Sequence, residues 1–413
     1  MGADREACLM IIGAGDEAVE GIKVARNMGL QLIIADGNPY APGFTYADKS
    51  LHISTYDTKS LAQAAINLTA EGHKIRGVIA ICADVPLSVA TVSNALGLPG
   101  LSLESAFWVS DKLAMKTQLQ SQGIPIPRFA DVSDISSLKQ KAAEIGFPLI
   151  IKPVDSRGAR GVQLLHNKEQ LENAWNIAAN ESPTARVMLE EFLEGPQFST
   201  ETLIDKGKCY TLGFADRNYE WLERTKPFII ENGGDSPTRV NDDMKTEVIA
   251  TVEQAAAALN ISQGVAKGDM VYTAQGPKVI EIAGRLSGGF FSTTQIPLAT
   301  GVNFVEKAIK LALGEPLTDK EVLPSRHQAV AIRYLDLAPG KVKEIQGKAE
   351  AKSSKGVEML KLFITPGSLI QPLANHTQRA GFVITYADDK QTAINRAYDA
   401  LSKIQVVYET SNS

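Results

Sequence analysis

The 413 residues are 44% apolar and 22% charged, ordinary proportions for a water-soluble globular chain, and the length suggests two to three domains. The 42 Lys and Arg against 47 Asp and Glu leave a formal charge of −5, which argues against nucleic acid or an anionic membrane as the main partner. No stretch approaches the roughly 18 apolar residues of a membrane span, and no basic segment followed by a long apolar one opens the chain, so a soluble, cytoplasmic protein is expected.

Residues 8–14, CLMIIGA, form an apolar run that stops at glycine; DEAVEGIKVARNMG then has helical spacing and LQLIIAD reads as a second strand. GVIAIC is a further strand and PLSVATVSNALG a helix. This alternation predicts a parallel sheet with crossover helices, so that roughly the first 100 residues form one Rossmann-like α/β unit. The turn GAGDEAVEG permits a dinucleotide reading, because Ala18 stands at the third glycine position and Asp36 closes the second strand where a ribose-binding acid would sit. A tight strand-to-helix turn that binds no nucleotide is the plainer reading. Cys8, Cys82 and Cys209 form no CxxC pair and the five histidines no HxH or HxxxH pair, so neither a disulfide framework nor a zinc or histidine-built metal site is expected. Cys8 and Cys82 lie in apolar runs and read as core.

A helix capped by Ser110 or Asp111 runs through SDKLAMKTQLQSQG to Gly123, and the prolines of IPIP force an extended path after it. SSLKQKAAEIG is another helix. FPLIIKP, VQLL and RVMLEEFLEG read as strands, with a helix around KEQLENAWNIAAN. Between the first two, IIKPVDSRGARGV ends a buried-looking strand in Lys152 and opens onto a polar, glycine-containing loop with two arginines. Lys152, Ser156, Gly158 and Gly161 have the makings of a phosphate cradle: glycines let backbone N–H groups approach phosphate oxygens, and lysine adds a point charge. GxxxxGK[ST] is absent, and taken alone the loop reads by default as a solvated turn. QFSTETLIDKGKCYTLGFADR is a hairpin turning at Lys206–Gly207, and MKTEVIATVEQAAAALN a helix. QGVAKGDMVYTAQGPKVIEIAGR gives two strands joined by AQGP, and counting across that turn brings Asp269 and Glu281 to one mouth of the sheet. Paired carboxylates suit Mg²⁺. Arg285 follows, before Gly288 and Gly289, where a guanidinium could hold a carboxylate or a developing acyl phosphate. The bland alternative makes Asp269 and Glu281 edge carboxylates with Arg285 as their salt-bridge partner. Residues 303–313 are helical, PGKVKEIQG and AGFVITYA are short strands, and a final helix spans about 388–404.

In this order the segments SDKLAMK, GIPIP, FPLIIKP, DSRGARGV, VMLEEFLEG and VIEIAGRLSGG resemble the ATP-grasp superfamily of carboxylate ligases over nearly the whole chain. The resemblance implies an α/β chain, α+β in its ATP-grasp part. Residues 1–105 would be a Rossmann-like pre-ATP-grasp domain and 106–320 the ATP-grasp domain, with a flexible lid at about 128–188; 321–413 would be a small β-rich domain completing the ligase core. It further implies that Lys112 and Lys152 contact ATP phosphates beneath the 155–161 loop. Glu190, Glu191, Phe192 and Leu193 would form the adenine hinge, with Glu190 and the backbone of Phe192 and Leu193 reading the purine. Gln197 stands where many members carry a ribose-binding acid. Asp269 and Glu281 match the magnesium ligands; Ala283 replaces a common Asn, leaving one or two ions open. Arg285 matches the arginine that steadies the acyl phosphate, with Glu231, Gly288 and Gly289 also facing substrate.

The C-terminal segments PGKVKEIQG, ITPGSLIQPL and RAGFVITYADDKQTAINRAYDAL look most like the L-amino-acid (dipeptide) ligase branch, and are also similar to biotin carboxylase and the purine-pathway carboxylase. In amino-acid ligases an E-x-G-H-x-x-P segment helps hold the amino acid; ENGGDSP supplies Glu231, Gly233 and Pro237 but Gly234 in place of the histidine. The implied activity is an ATP- and Mg²⁺-dependent ligase, Mn²⁺ able to substitute, joining a small-molecule carboxylate to an amine, with no nucleic-acid or membrane partner and homodimerisation left open. The alternatives are a bicarbonate-activating carboxylase of the same fold, an NAD(P)-binding oxidoreductase, and a non-catalytic nucleotide-binding regulator.

Overall fold

In the computed structural model, which describes residues 7–409, the N-terminal apolar runs form a four-stranded parallel sheet in the order Lys49–Leu51, Gln31–Ala35, Ala7–Ile12, Lys74–Ile79. Its central strands are buried on both faces, so they read as continuous apolar runs rather than alternating ones. Cys8, Met10 and Ile12 face helices Thr58–Ala70 and Pro86–Ala95; Leu9 and Ile11 face Val19–Asn27 and Phe304–Ala312. The last of these helices arrives from far downstream. The N-terminal unit is therefore completed by a segment that no local pattern assigns to it.

A second, antiparallel sheet orders Phe129–Val132, Val187–Glu191, Leu149–Pro153 and Gln163–Leu165, packed against helices Ile135–Ile145 and Leu171–Asn180. The third is an eight-stranded antiparallel sheet: Gly276–Ala283, Gln263–Thr273, Gln197–Asp205, Lys208–Asn218, Gly233–Ser236, Ala329–Tyr334, Gly381–Ala387 and Val357–Leu362. Residues 329–387 thus continue the central sheet. Only Leu369–Ile370, Gly340–Gln346 and Gln405–Tyr408 make a small sheet of their own. The joint is Gly233–Ser236, whose GGDS sequence carries no strand pattern. Helix Asp242–Ala258 backs one half of the large sheet and Lys390–Ser402 the other.

Local chemistry explains the elements around the site. Helix Lys112–Ser121 starts where Asp111 Oδ1 accepts the Ala114 N–H at 2.8 Å. Lys206 and Gly207 both have positive φ, as a two-residue primed hairpin turn requires. The next hairpin turns in two residues, Ala274 and Gln275, so Gly276 and Pro277 of the expected AQGP turn already belong to the strand. Among the described residues no helix is long and apolar enough to cross a membrane.

Candidate active site

The N-terminal unit, the second sheet and the large sheet enclose a cavity of about 770 Å³. Lys152 ends its strand buried, with Nζ 2.8 Å from Glu190 Oε2, while Lys116 Nζ lies 3.2 Å from Glu190 Oε1 and donates to the Val279 carbonyl at 3.0 Å. Burial would raise the Glu190 carboxyl, but Lys116 and Lys152 outweigh it and hold the group below the usual carboxylate range. Burial pushes Lys116 down to about 8. The Glu190 carboxylate, expected to read the purine, pairs here with both lysines and positions Lys152. The Phe192 N–H is also committed, to the Pro148 carbonyl at 3.1 Å, which leaves the Leu193 peptide at the cavity edge. Ile150, Val271 and Ile280 give this end an apolar lining, with Gln197 beside it. Glu191 lines the rim and pairs outward with Arg128 at 2.8 Å and Lys278 at 3.1 Å.

The 155–161 loop lies across the cavity. Lys112 Nζ donates to the Ser156 carbonyl at 2.9 Å and stands 3.5 Å from Glu281 Oε1. Arg157 Nε is 3.1 Å from Asp84 Oδ2, and its guanidinium sits 4.8 Å from the Tyr56 ring centroid. The Gly158 carbonyl accepts the His376 N–H at 3.0 Å. The loop is thus fastened to the N-terminal unit on one side and to the C-terminal segment on the other. Gly161 departs from expectation. It is not among the residues lining the cavity; at φ 70° a β-carbon there would stand 2.9 Å from Pro153 Cγ, so close packing requires glycine at this position.

Asp269 and Glu281 occupy directly facing register positions. Asp269 pairs with Arg217 Nη1 at 2.9 Å and Lys267 Nζ at 2.5 Å; burial works against its charge, but those two cations hold its carboxyl well below the usual range. Arg285 pairs with neither strand carboxylate. Its Nε lies 3.4 Å from Asp84 Oδ1, so one N-terminal carboxylate stands between Arg285 and Arg157. Burial opposes ionisation of Asp84, but Arg285, Arg157 and Lys112 outweigh it and keep its carboxyl below the usual range. Among the described residues no cluster of three or more His, Cys, Asp or Glu closes a protein-only metal site. Two facing carboxylates beside a group of cations fit Mg²⁺, an ion that takes oxygen ligands and usually completes its shell with phosphate oxygens and water.

The GAGDE turn reaches the site through Glu17, whose Oε2 accepts the Gly289 N–H at 3.0 Å; a β-carbon on Gly288 would stand 2.6 Å from that oxygen. Asp36, the ribose acid of the dinucleotide reading, spends its carboxylate on the N–H groups of Ala14 at 2.7 Å and Asn38 at 2.8 Å and lies outside the cavity. Glu231 lines the far end and pairs with Arg217 at 2.6 Å; His376, Arg379 and Tyr334 adjoin it. Sequence reasoning noted Arg157 only as one of two loop arginines and missed Asp84, Arg217, Lys267, His376 and Arg379. Of these five, Asp84 had a visible signal: an acid just past a parallel strand's carboxyl end, where such sheets present ligand groups.

The chain matches the ATP-grasp domain over residues 109–289 and the L-amino acid ligase C-terminal domain 2 over residues 333–409. An L-arginine-specific L-amino acid ligase from Bacillus subtilis is 22% identical over 359 residues, covering 83% of each chain. The crystal structure of an L-amino acid ligase from Bacillus licheniformis superposes with a TM-score of 0.83 at 21% identity, over 98% of this chain and 99% of that one. The biotin carboxylase domain of a Hydrogenobacter thermophilus 2-oxoglutarate carboxylase, solved with MgADP, ADP and bicarbonate, gives a TM-score of 0.73 at 18% identity, over 97% and 90% of the two chains. These likenesses establish a shared fold.

Proposed function

We propose that this chain, which belongs to the ATP-grasp superfamily of carboxylate–amine ligases, activates a small-molecule carboxylate as an acyl phosphate and joins it to an amine, giving an amide, ADP and phosphate. The observation that carries the reading is the convergence of Lys112, Lys152, Arg157 and Arg285 on one cavity that also presents the facing pair Asp269 and Glu281. Phosphoryl transfer needs positioned charge more than acid–base groups. The γ-phosphate would lie between Lys152, Lys112 and the 155–161 loop, with the purine in the apolar slot beside Leu193. ATP-grasp enzymes use ATP with Mg²⁺; Asp269 and Glu281 would hold the ion, which supplies neutralisation of phosphate charge, and Mn²⁺ is expected to substitute.

A substrate carboxylate oxygen attacks the γ-phosphorus and ADP leaves. The neutral amine nitrogen then attacks the acyl carbon, phosphate departs with the bridging oxygen, and the proton shed by nitrogen leaves on that phosphate. Arg285 offers a planar, two-pronged donor to the carboxylate and the transferred phosphoryl group. The segment about 128–188 acts as the lid, and its loop, fastened to Asp84 and His376, keeps water from the acyl phosphate. The test is a phosphate-release screen of paired amino acids and other carboxylates with ATP and Mg²⁺, followed by mass spectrometry of the product. Amine-dependent release with an amide product supports the reading. Bicarbonate-dependent ADP release with no amine requirement supports the carboxylase alternative instead.

A further inference from the structure

The cations lining the cavity are matched to acids with two exceptions among the described residues. Lys112 stands by Glu281, Lys152 by Glu190, Arg157 and Arg285 by Asp84, and Arg217 and Lys267 by Asp269. Arg160, exposed on the loop, has no acidic partner, and neither has Arg379, which is partly buried at the end of the cavity formed by the C-terminal segment. Arg379 donates Nε to the His376 carbonyl at 3.0 Å and Nη1 to the Glu231 carbonyl at 3.1 Å, and its Cζ sits 3.6 Å from the Tyr334 ring centroid. Neutral carbonyls and a ring face orient the guanidinium without answering its charge. Among the described residues Nη2 meets no protein acceptor.

His376 adds a second donor from the same short turn. Its Nε2 accepts the Glu231 N–H at 3.1 Å, so the neutral ring carries its proton on Nδ1. Burial first, then the charges of Arg379 and Arg217, keep the ring neutral. Tyr334, Phe363 and Phe382 provide an aromatic wall alongside, with ring centroids 5.8–6.0 Å apart. A fixed, charged fork and an N–H beside aromatic rings are the chemistry of a carboxylate attached to a small organic body.

We propose that Arg379 Nη2 and His376 Nδ1–H bind the carboxylate of the amine substrate, so that this substrate is an amino acid, its side chain turned to the wall of Tyr334, Phe363 and Phe382. The assignment of the ligand as the amine substrate rests on the ligase reading above. The same turn holds the phosphate loop through the His376 N–H and the Gly158 carbonyl, so filling the subsite also steadies the closed loop.

The test uses the full-length protein with Mg²⁺ and the non-hydrolysable ATP analogue AMPPNP, titrated calorimetrically with the twenty L-amino acids and their α-amides. An α-amide keeps the amine and side chain but loses the charge. At least one amino acid is expected to bind about tenfold or more tighter than its amide, the loss expected of a charge-assisted contact. Arg379→Met should erase that preference and Arg379→Lys should retain part of it. The lysine variant keeps the charge and the stem over Tyr334, so the test survives if the methionine variant fails to fold. Equal binding of every acid and amide, or an unchanged preference in both variants, overturns the proposal. In turnover, Arg379→Lys should raise KM for the component found on the amine side of the product. A rise confined to the carboxylate donor overturns the subsite and leaves the ligase reading standing. If no pair yields an amide, the ligase reading fails, and the calorimetry still decides whether Arg379 binds a carboxylate.

Discussion

Arg285 and Lys152 depend most on the shape and charge of a single side chain. Arg285→Lys is expected to keep ATP affinity near wild type and lose most ligation, because lysine preserves the pairing with Asp84 but not the two-pronged geometry. Calorimetric ATP binding and steady-state phosphate release on one preparation decide this; wild-type values for both would reduce Arg285 to a structural ion pair. Lys152→Met should weaken ATP binding and nearly abolish turnover. It should also lower stability, by about 1–3 kcal/mol, since the buried Glu190 would keep only Lys116. Denaturant unfolding and calorimetry read the two effects separately. Lost stability with unchanged ATP affinity would mean that Lys152 does not touch the nucleotide. Lys152 was legible as a lysine at the end of an apolar run. Its pairing with Glu190 was not, because EEFL reveals spacing and no partner.

Register and loop placement settle the next level. A two-residue turn with unbroken pairing would put Ile280 opposite Asp269; a bulge between Asp269 and Met270 puts Glu281 there instead. The sequence pattern brought both carboxylates to one mouth through a turn counted too long, and the bulge that aligns them leaves no trace in residue types. Glu281→Gln should cut activity strongly, with partial recovery at high Mg²⁺ or with Mn²⁺; wild-type rates across a metal titration would remove Glu281 from the ion's shell. The 155–161 loop was readable as basic and glycine-containing, but not its fastening to Asp84. Asp84→Asn should loosen that fastening. Hydrogen exchange across 155–161 should quicken, and ADP formed per amide should rise well above one as water reaches the acyl phosphate. Unchanged exchange and a one-to-one ratio would leave Asp84 no part in closure.

At the scale of the molecule, the order of segments pointed to the fold because each carries its own pattern: a parallel unit, a basic loop, a carboxylate hairpin. What stayed hidden are contacts between segments far apart in sequence. Helix Phe304–Ala312 completes the N-terminal unit, and Gly233–Ser236 splices the C-terminal strands into the central sheet. His376 and Arg379 reach the cavity only through that splice, which is why a glycine at 234 says little about how a substrate is held. A carboxylate activated as an acyl phosphate leaves one of its oxygens on phosphate. The decisive measurement supplies the activated acid with both carboxylate oxygens as ¹⁸O and analyses the products of one turnover by mass spectrometry. One ¹⁸O is expected in the released phosphate, the other in the amide, with ADP as the nucleotide product. Unlabelled phosphate, or AMP in place of ADP, would contradict the acyl-phosphate route.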